Sequence, residues 1–186
     1  MDAIVEAALK KWPNVPHCYG WLALDARGDW YMRDERIQAA GPFPAVKGSR
    51  IVHDKLIGFI DRNYGVDGQG AWFFQNGPQR VYVQLEAAPW IWRLQPDGRV
   101  LSHTGREARV DGAVLDEADR LFLETDLGLG LVHTQDMGPA ADALEAGRWT
   151  MSKATHAELV ARHGVVLAPL DPKGGHGEGG GEGGKP

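Results

Sequence analysis

Residues 71–102 read AWFFQ-NGPQ-RVYVQLE-AAP-WIWRL-QPDG-RVLS, a series of apolar runs joined by short links. Within residues 80–86, valine or leucine occupies every second position. This period of two is typical of an antiparallel strand with one buried face and one solvent-exposed face. The links contain the dipeptides NG (76–77) and DG (97–98), which tolerate the positive φ of tight turns. We therefore predict two β-hairpins in this stretch.

The same pattern occurs twice more, as GWLALD-ARG-DWYMR at residues 20–33 and as AVL-DEAD-RLFLET at residues 113–125. Four successive hairpins predict an antiparallel β-meander of roughly seven to nine strands. Amphipathic or capped segments between the hairpins predict three or four helices that cover the sheet. These segments run from Asp2 to Lys11, from Ser49 to Gly65, from about Pro139 to Gly147 and from Thr155 to Gly164. The order of elements lacks regular strand–helix alternation, which indicates the α+β class.

The sequence divides into a body and a tail. Residues 174–186 read GGHGEGGGEGGKP, with eight glycines in thirteen positions and no apolar side chain. Nothing in this segment repays the entropy of ordering it, so we predict a disordered glycine-rich tail. Residues 1–173 are predicted to form a single α+β domain, because their length suits one hydrophobic core.

Composition argues against several classes of protein. The formal net charge of -5 argues against a general affinity for nucleic acid, whose phosphates attract clustered Lys and Arg. The one cysteine, Cys18, excludes an internal disulfide framework and a zinc site built on several thiolates. No apolar run reaches the roughly 18 residues of a membrane span, and the first residues do not resemble a signal peptide. We expect a cytoplasmic protein with no nucleic-acid or membrane partner.

Three stretches resemble a bacterial family of unknown function that is associated with proteobacteria. They are NVPHCYGWLALDARGDWYMRD (14–34), FFQNGPQRVYV (73–83) and APWIWRL (88–94). The similarity covers most of the body and none of the tail. The family has no assigned activity or catalytic residue, so the resemblance implies only a bacterial cytosolic protein.

His17 and Cys18 are the first candidates for nucleophilic catalysis, since a thiol needs a base beside it. Adjacent residues on an extended segment point to opposite faces, which places this pair badly for a mutual hydrogen bond. A small, buried, structural Cys18 is the more common alternative. An enzyme hypothesis would add His103 or the acidic segment 111–126 to this pair.

The acidic segment 111–126 holds six carboxylates and one arginine. Arginines at positions 93, 99, 106 and 109 precede it, and charge pairing between hairpins is the simplest explanation. The alternative is a carboxylate pair that acts as acid and base or holds a divalent cation, but the turn lacks the spacing of a calcium loop. His103 and His133 could converge with Asp126 or Asp136, yet no histidine pair has the spacing of a helical metal motif. We predict no metal site and no cofactor.

Seven tryptophans are an unusually high number for 186 residues. Because strands favour aromatic residues, most of the indoles are expected to form a bulky sheet core. Trp90 and Trp92 lie two apart on one strand face, directly after Pro89, which suits the first position of an edge strand. This pair is therefore expected to extend to the surface beside Arg93.

The predicted ligand-binding residues are His17, Tyr19, Trp90, Trp92 and Arg93. Recognition surfaces are enriched in Trp, Tyr and Arg, and loops carried by a rigid sheet often hold binding residues. The favoured hypothesis is a non-catalytic binding module that recognises a protein or a small ligand through an aromatic and arginine-rich surface of its sheet. The alternative is an enzyme of unrecognised type that uses His17, Cys18 and His103 or the acidic segment.

Overall fold

The computed structural model describes residues 1–173, and the predicted glycine-rich tail, residues 174–186, lies outside the described residues. The helices are α1 (Ala3–Lys11), α2 (Glu35–Ala40), α3 (Asp54–Arg62), α4 (Met137–Glu145) and α5 (His156–Arg162), and a short 3-10 turn spans Thr134–Asp136. The strands are β1 (Cys18–Leu24), β2 (Trp30–Met32), β3 (Ser49–Arg50), β4 (Tyr64–Val66), β5 (Trp72–Asn76), β6 (Gln79–Leu85), β7 (Trp90–Leu94), β8 (Val100–Ser102), β9 (Glu107–Ala108), β10 (Val110–Leu115), β11 (Leu121–Thr125), β12 (Gly128–Val132) and β13 (Met151–Lys153).

The strands form two mixed sheets. The first has six strands in the order β3-β2-β1-β6-β5-β4, and the second has seven in the order β13-β10-β11-β12-β7-β8-β9. Every antiparallel pair joins consecutive strands, whereas β1 pairs with β6, β7 with β12 and β10 with β13 in parallel. Within residues 1–173, no helix is long and apolar enough to cross a bilayer.

Both sheets share one strand topology. In each, two three-stranded antiparallel meanders lie side by side, and the first strand of the first meander pairs in parallel with the last strand of the second. The strands β1 to β6 and β7 to β12 are therefore two successive copies of one arrangement. Strand β13 is an additional edge strand on the second copy.

The predicted α+β class and the four predicted hairpins are confirmed, since β1–β2, β5–β6, β7–β8 and β10–β11 are antiparallel pairs. The single antiparallel meander is wrong, because parallel pairing joins strands that are distant in sequence. The predicted count of seven to nine strands is too low, because the described residues form thirteen strands, and β3, β4, β9 and β13 have only two or three residues each and leave no clear pattern. The described residues also hold five helices rather than three or four, because the unpredicted α2 buries no residue and so carries no apolar stripe.

Helices α1 and α5 occupy the predicted segments. In α5 the expected capping box forms, because the Thr155 N–H donates to Glu158 Oε2 at 2.7 Å and the Glu158 N–H donates to Thr155 Oγ1 at 3.2 Å. Helix α3 begins at Asp54 and not directly after Ser49, because residues 49–51 continue the first sheet beside β2. Helix α4 begins at Met137, slightly earlier than predicted.

The two sheets pack face to face around one shared hydrophobic core. The buried side chains that meet there include Leu22, Leu24, Val83 and Leu85 from the first sheet and Trp90, Trp92, Leu123 and Val132 from the second. The apolar positions of β6 face this core, as its period of two predicts. Burial of this apolar surface is the main stabilising contribution to the fold.

The outer faces of the two sheets differ. Helix α5 covers the second sheet, where Leu159 packs with Ile91 and Phe122 in a second buried cluster. The outer face of the first sheet carries a smaller cluster of Ala71, Phe73 and Tyr82, against which Tyr19 and Val166 pack. On this outer face Tyr19 is therefore only partly buried.

Five hairpin turns have the same geometry, at residues 25–29, 67–71, 95–99, 102–106 and 116–120. In each, the first N–H donates to the fifth C=O, and the fourth N–H donates to the first C=O. The fourth residue always has a positive φ, and it is glycine in four turns and Asp119 in the fifth. Three turns begin with an aspartate whose Oδ1 accepts two N–H groups of its own turn. Because these hydrogen bonds join residues of the same short turn, the local sequence can indicate a hairpin.

Gly105→Ala is expected to lower the free energy of unfolding by about 1–2 kcal/mol, because an L-residue is strained in the left-handed region, and Gly105 has a φ of 83°. A Cβ there would meet no atom within 4 Å, so the variant isolates the backbone effect. The matched control is Gly138→Ala, which is equally open but helical and should gain up to about 1 kcal/mol. Urea unfolding of both variants measures the difference, and equal effects would contradict the turn conformation.

Candidate functional site

An open cleft lies on the outer face of the first sheet. It has a volume of about 380 Å³ and is lined by residues 13–17, Tyr19 and residues 171–173. We call it the tyrosine cleft. Two of the predicted ligand-binding residues, His17 and Tyr19, lie together in its wall.

A bulge in β1 positions Tyr19 in this cleft. Cys18 pairs with Val81 and Leu22 pairs with Val83. Between these two pairs, β1 therefore advances four residues while β6 advances only two. Gly20 adopts a φ of 81° within the bulge, and a Cβ at this position would overlap the Gln38 side chain. The left-handed backbone conformation favours glycine here, and the Gln38 side chain of α2 would have to move to admit a Cβ.

The wall of the cleft is an aromatic stack. Tyr19 lies flat on Tyr82, with ring centroids 4.6 Å apart and an interplanar angle of 9°. His17 meets Tyr82 edge-on at 5.7 Å and 74°. Tyr82 is buried beneath them, and its O–H donates to Asp67 Oδ2 at 3.0 Å. The buried hydroxyl is thus satisfied, and the ring is held in place as a platform.

The electrostatics of the cleft are balanced. Burial raises the pKa of Tyr19, and the neighbouring Tyr82 adds to this shift, so the phenol stays protonated. Burial alone would raise the pKa of Asp67, but hydrogen bonds from two turn N–H groups and from Tyr82 outweigh it, so the pKa is lowered. At the rim, the exposed Asp171 and Lys173 provide one charge of each sign.

The expectation that Trp90 and Trp92 reach the surface is wrong. These residues are only 2% and 0% exposed, and their rings lie in the shared core with centroids 6.1 Å apart. Strand β7 is central, between β12 and β8, so Pro89 does not begin an edge strand. The Trp90 Nε1–H donates to the Leu127 C=O at 2.8 Å, which satisfies its polar atom inside the protein.

Arg93, the fifth predicted residue, lies on the second sheet and does not line the tyrosine cleft. Its Nε donates to Asp136 Oδ2 at 2.7 Å, and its side chain is 42% exposed. The five residues predicted to form one surface therefore occupy three places, namely the cleft, the core and the end of β7. Ligand binding by His17, Tyr19 and Arg93 stays a prediction.

The residues of the enzyme hypothesis are not brought together. His17 contacts Tyr82 on the outer face, whereas Cys18 pairs with Val81, which packs against the shared core. Burial raises the pKa of Cys18 and so favours the less reactive thiol. His103 lies between the sheets, with its ring 5.6 to 5.9 Å from three aromatic rings.

The carboxylates of the acidic segment 111–126 make structural contacts. Asp116 pairs with Arg120 at 2.7 Å, and Glu117 and Glu124 bind the two ends of α5. The expected pairing with upstream arginines is limited. The Arg109 side chain pairs with Asp111 at 3.3 Å, and its backbone N–H donates to the Asp126 carboxylate. Within residues 1–173, no group of three His, Cys, Asp or Glu side chains could hold a metal ion.

Residues 1–173 match the family model DUF2944, which is described as "Protein of unknown function (DUF2946)". The chain belongs to this family. The expectation of an uncharacterised family is confirmed, and membership of DUF2944 brings no assigned site residue to this chain. No curated protein sequence matches it.

Two crystal structures of DUF1285 family proteins are similar to this DUF2944 chain. The protein from Silicibacter pomeroyi DSS-3 has a TM-score of 0.48 and 11% sequence identity, over 76% of this chain and 84% of that chain. The protein from Shewanella baltica OS155 has a TM-score of 0.41 and 18% identity, over 66% of this chain and 91% of that chain.

Tyr82 belongs to the site but was not predicted from the sequence. The alternation in residues 80–86 places Tyr82 on the outer face, and this is the one signal that could have identified it. The stack with Tyr19 was not predictable, because it depends on the bulge in β1 and on the parallel pairing of β1 with β6.

Proposed function

We propose that this DUF2944 chain is a non-catalytic binding module whose tyrosine cleft takes a small ligand with a planar ring. The observation that carries the proposal is the Tyr19–Tyr82 stack, with the exposed His17 beside it in the wall of an open cleft. A planar ligand ring can extend such a stack. Aromatic pairs contribute about 0.5–1.5 kcal/mol beyond the area that they bury.

The size of the tyrosine cleft supports a small ligand over a protein partner. Its volume of about 380 Å³ falls in the range of roughly 300–1,000 Å³ that is typical of small-molecule sites. Asp171 and Lys173 at the rim offer an acceptor and a donor that can orient polar substituents of the ligand. The cleft therefore suits a compact molecule with a ring and few polar groups.

The wall is also pre-organised. Pro13 and Pro16 restrict the backbone of the loop that leads into β1, and Gln79 Nε2 donates to the Pro16 C=O at 3.0 Å. A wall that is ordered before binding reduces the entropy that the complex must lose. Because Cys18 does not line the cleft, the wall offers recognition groups and not a nucleophile.

Tyr19→Leu is expected to weaken binding of a planar probe about fivefold, because leucine covers Tyr82 but cannot stack with a ring. The measurement uses indole and p-cresol as probes, with cyclohexanol as a non-planar comparison. Protein-detected NMR follows the ring resonances of His17 and Tyr19 during each titration. We expect saturable shifts with indole and p-cresol and none with cyclohexanol.

Trp21→Leu is the matched control, because Trp21 is an exposed aromatic residue of the same strand that does not line the cleft. It should leave binding of indole unchanged. Equal weakening by Tyr19→Leu and Trp21→Leu would contradict the proposal, as would the absence of any shift at His17 or Tyr19. Urea unfolding of both variants verifies that each is folded.

A further inference from the structure

A second cleft lies between helix α4 and the turn that joins β7 to β8. It has a volume of about 500 Å³, larger than the tyrosine cleft, and the two clefts share no residue. Its wall includes the ring side chains of Pro96, Pro139 and Trp149 and the charged side chains of Asp142 and Arg148. We call it the tryptophan cleft. Clefts of roughly 300–1,000 Å³ are typical of small-molecule sites.

Hydrogen bonds hold the two sides of the tryptophan cleft in fixed positions. On the strand side, the Gln95 N–H donates to the Arg99 C=O at 2.8 Å and closes the turn. On the helix side, the Asp136 carboxylate precedes α4 and accepts the Leu94 N–H at 3.0 Å, which ties the start of the helix to β7. A cleft whose sides are ordered before binding loses less entropy when a ligand enters.

The end of α4 positions Arg148 and Trp149 in this cleft. The Gly147 N–H donates to the Leu144 C=O and the Arg148 N–H donates to the Ala143 C=O, both at 3.0 Å. This pair of bonds is the Schellman motif, in which the chain reverses directly after a helix. Trp149 follows the reversal, and its side chain packs against the shared core while part of it stays exposed to solvent.

Two charges of opposite sign line the tryptophan cleft without neutralising each other. Asp142 belongs to α4, and Arg148 lies over the β7–β8 turn, where a Cβ on Gly98 would be 3.1 Å from its Nη1. Among the described residues, neither Asp142 nor Arg148 belongs to a salt bridge, so more than 4 Å separates the two charged groups. Asp97, the other carboxylate of the cleft, is already paired with Arg99 at 2.7 Å.

A ligand that carries both charges suits this cleft better than an ion of one sign. A lone carboxylate gains charge-assisted hydrogen bonds from Arg148 but is repelled by Asp142, and a lone ammonium group meets the converse. An α-amino acid carries both groups on one carbon, so each group can meet its opposite charge. The rings of Pro96, Pro139 and Trp149 then offer an apolar surface to its side chain.

We propose that the tryptophan cleft binds a free α-amino acid with an apolar side chain. Arg148 binds the carboxylate, Asp142 binds the ammonium group, and Trp149 packs against the side chain of the ligand. The site shares no residue with the tyrosine cleft, so it does not depend on the function proposed there.

The test is an NMR titration of the full chain with L-leucine, followed at the indole Nε1–H resonance of Trp149, which a Trp149→Phe variant assigns. Two analogues separate the charges, because 4-methylpentanoate lacks the ammonium group and 3-methylbutylamine lacks the carboxylate. We expect a saturable shift with L-leucine and binding that is weaker by about fivefold or more for each analogue. None of the three molecules has a planar ring, so the tyrosine cleft does not compete for them.

Each charged residue should determine one preference of the cleft. Arg148→Gln should weaken L-leucine by about fivefold or more and should not weaken 3-methylbutylamine, which has no carboxylate to lose. Asp142→Asn should weaken L-leucine to a similar extent and should not weaken 4-methylpentanoate. A merely structural role of either residue would instead weaken all three molecules alike and would contradict the proposal.

Arg109→Gln is the control, because Arg109 is an exposed arginine that does not line the tryptophan cleft. It should bind L-leucine as the unmodified chain does. The proposal is overturned when L-leucine gives no saturable shift at Trp149, when either analogue binds as tightly as L-leucine, or when Arg148→Gln and Arg109→Gln lose affinity equally. Asp142 and Arg148 are exposed and make no side-chain hydrogen bond among the described residues, so both substitutions are expected to leave the fold intact.

Discussion

Trp90→Ala is expected to lower the free energy of unfolding by about 3–5 kcal/mol, the usual loss for a buried aromatic side chain. The indole contacts Tyr64 and Trp72 of the first sheet and Trp92 of the second, at centroid distances of 5.4, 5.1 and 6.1 Å. Its removal leaves a cavity where the sheets meet and an unpaired C=O at Leu127. In a domain of this size the melting temperature should fall by about 6–20 °C.

Trp12→Ala is the control for this substitution, because Trp12 is 50% exposed. Its effect should stay within about 0.5 kcal/mol. Trp90→Phe keeps much of the apolar volume and should recover part of the lost stability. A Trp90→Ala loss below about 1 kcal/mol would contradict the central position of this residue.

The stability of the protein should depend steeply on pH in acid, because one nitrogen of His103 has no partner among the described residues. Its Nδ1 accepts the Ile91 N–H at 3.2 Å, while its Nε2 atom is buried and has no hydrogen-bond partner within residues 1–173. Burial lowers the pKa of His103 to about 3, from a usual value of 6.5. The unfolded chain therefore binds this proton first as the pH falls. Stability is lost from about pH 6.5 downward and amounts to roughly 3–5 kcal/mol near pH 3.

Asp61 changes the pH dependence of stability in the opposite direction to His103. Burial raises its pKa to about 6, against a smaller lowering by the Trp30 Nε1–H, which donates to Oδ1 at 2.9 Å. The folded state therefore keeps this proton more tightly, and the stability it provides is lost as the pH rises from about 4 to 6. Because the carboxyl is only partly buried, we expect this effect to reach about 1–2 kcal/mol. Between pH 4 and 6 the two groups largely cancel.

Asp61→Asn separates the two effects. The amide oxygen can still accept the Trp30 N–H, and the variant should be more stable by about 1–2 kcal/mol at pH 7.5 but unchanged at pH 3.5. In this variant, the loss of stability that His103 causes should also become visible between pH 4 and 6. Urea unfolding at a series of pH values measures both. An equal change in stability at pH 3.5 and pH 7.5 would contradict a raised pKa of Asp61.

The features of the fold that were predictable from the sequence are those that depend on near neighbours. Three of the four hairpins, β1–β2, β7–β8 and β10–β11, follow from turns closed by hydrogen bonds within five residues, and the fourth, β5–β6, turns between the paired residues Asn76 and Gln79. The capping box of α5 needs only Thr155 and Glu158. The two-sheet architecture was not predictable in this way, because Leu22 of β1 pairs with Val83 of β6 and no local pattern encodes so distant a partner.

The candidate site was predicted in part for the same reason. Alternation correctly placed Trp90 and Trp92 on one face of their strand, and both lie in the shared core. The alternation could not show which face of the strand reaches solvent, because Ile91, on the opposite face, is also fully buried beneath α5. His17 and Tyr19 were selected from residue type and loop position, but Tyr82 was not.

The repeated topology of the two sheets implies an order of assembly. Hairpins between consecutive strands form within about 1–10 microseconds, because their ends are already close. The parallel pair of β1 and β6 instead joins residues about 60 positions apart, which requires a large loss of chain entropy before any contact rewards it. We therefore expect the meanders of each copy to form early and the parallel pair between them to form late. The bulge that positions Tyr19 belongs to such a parallel pair, so we expect the tyrosine cleft to be completed late in folding.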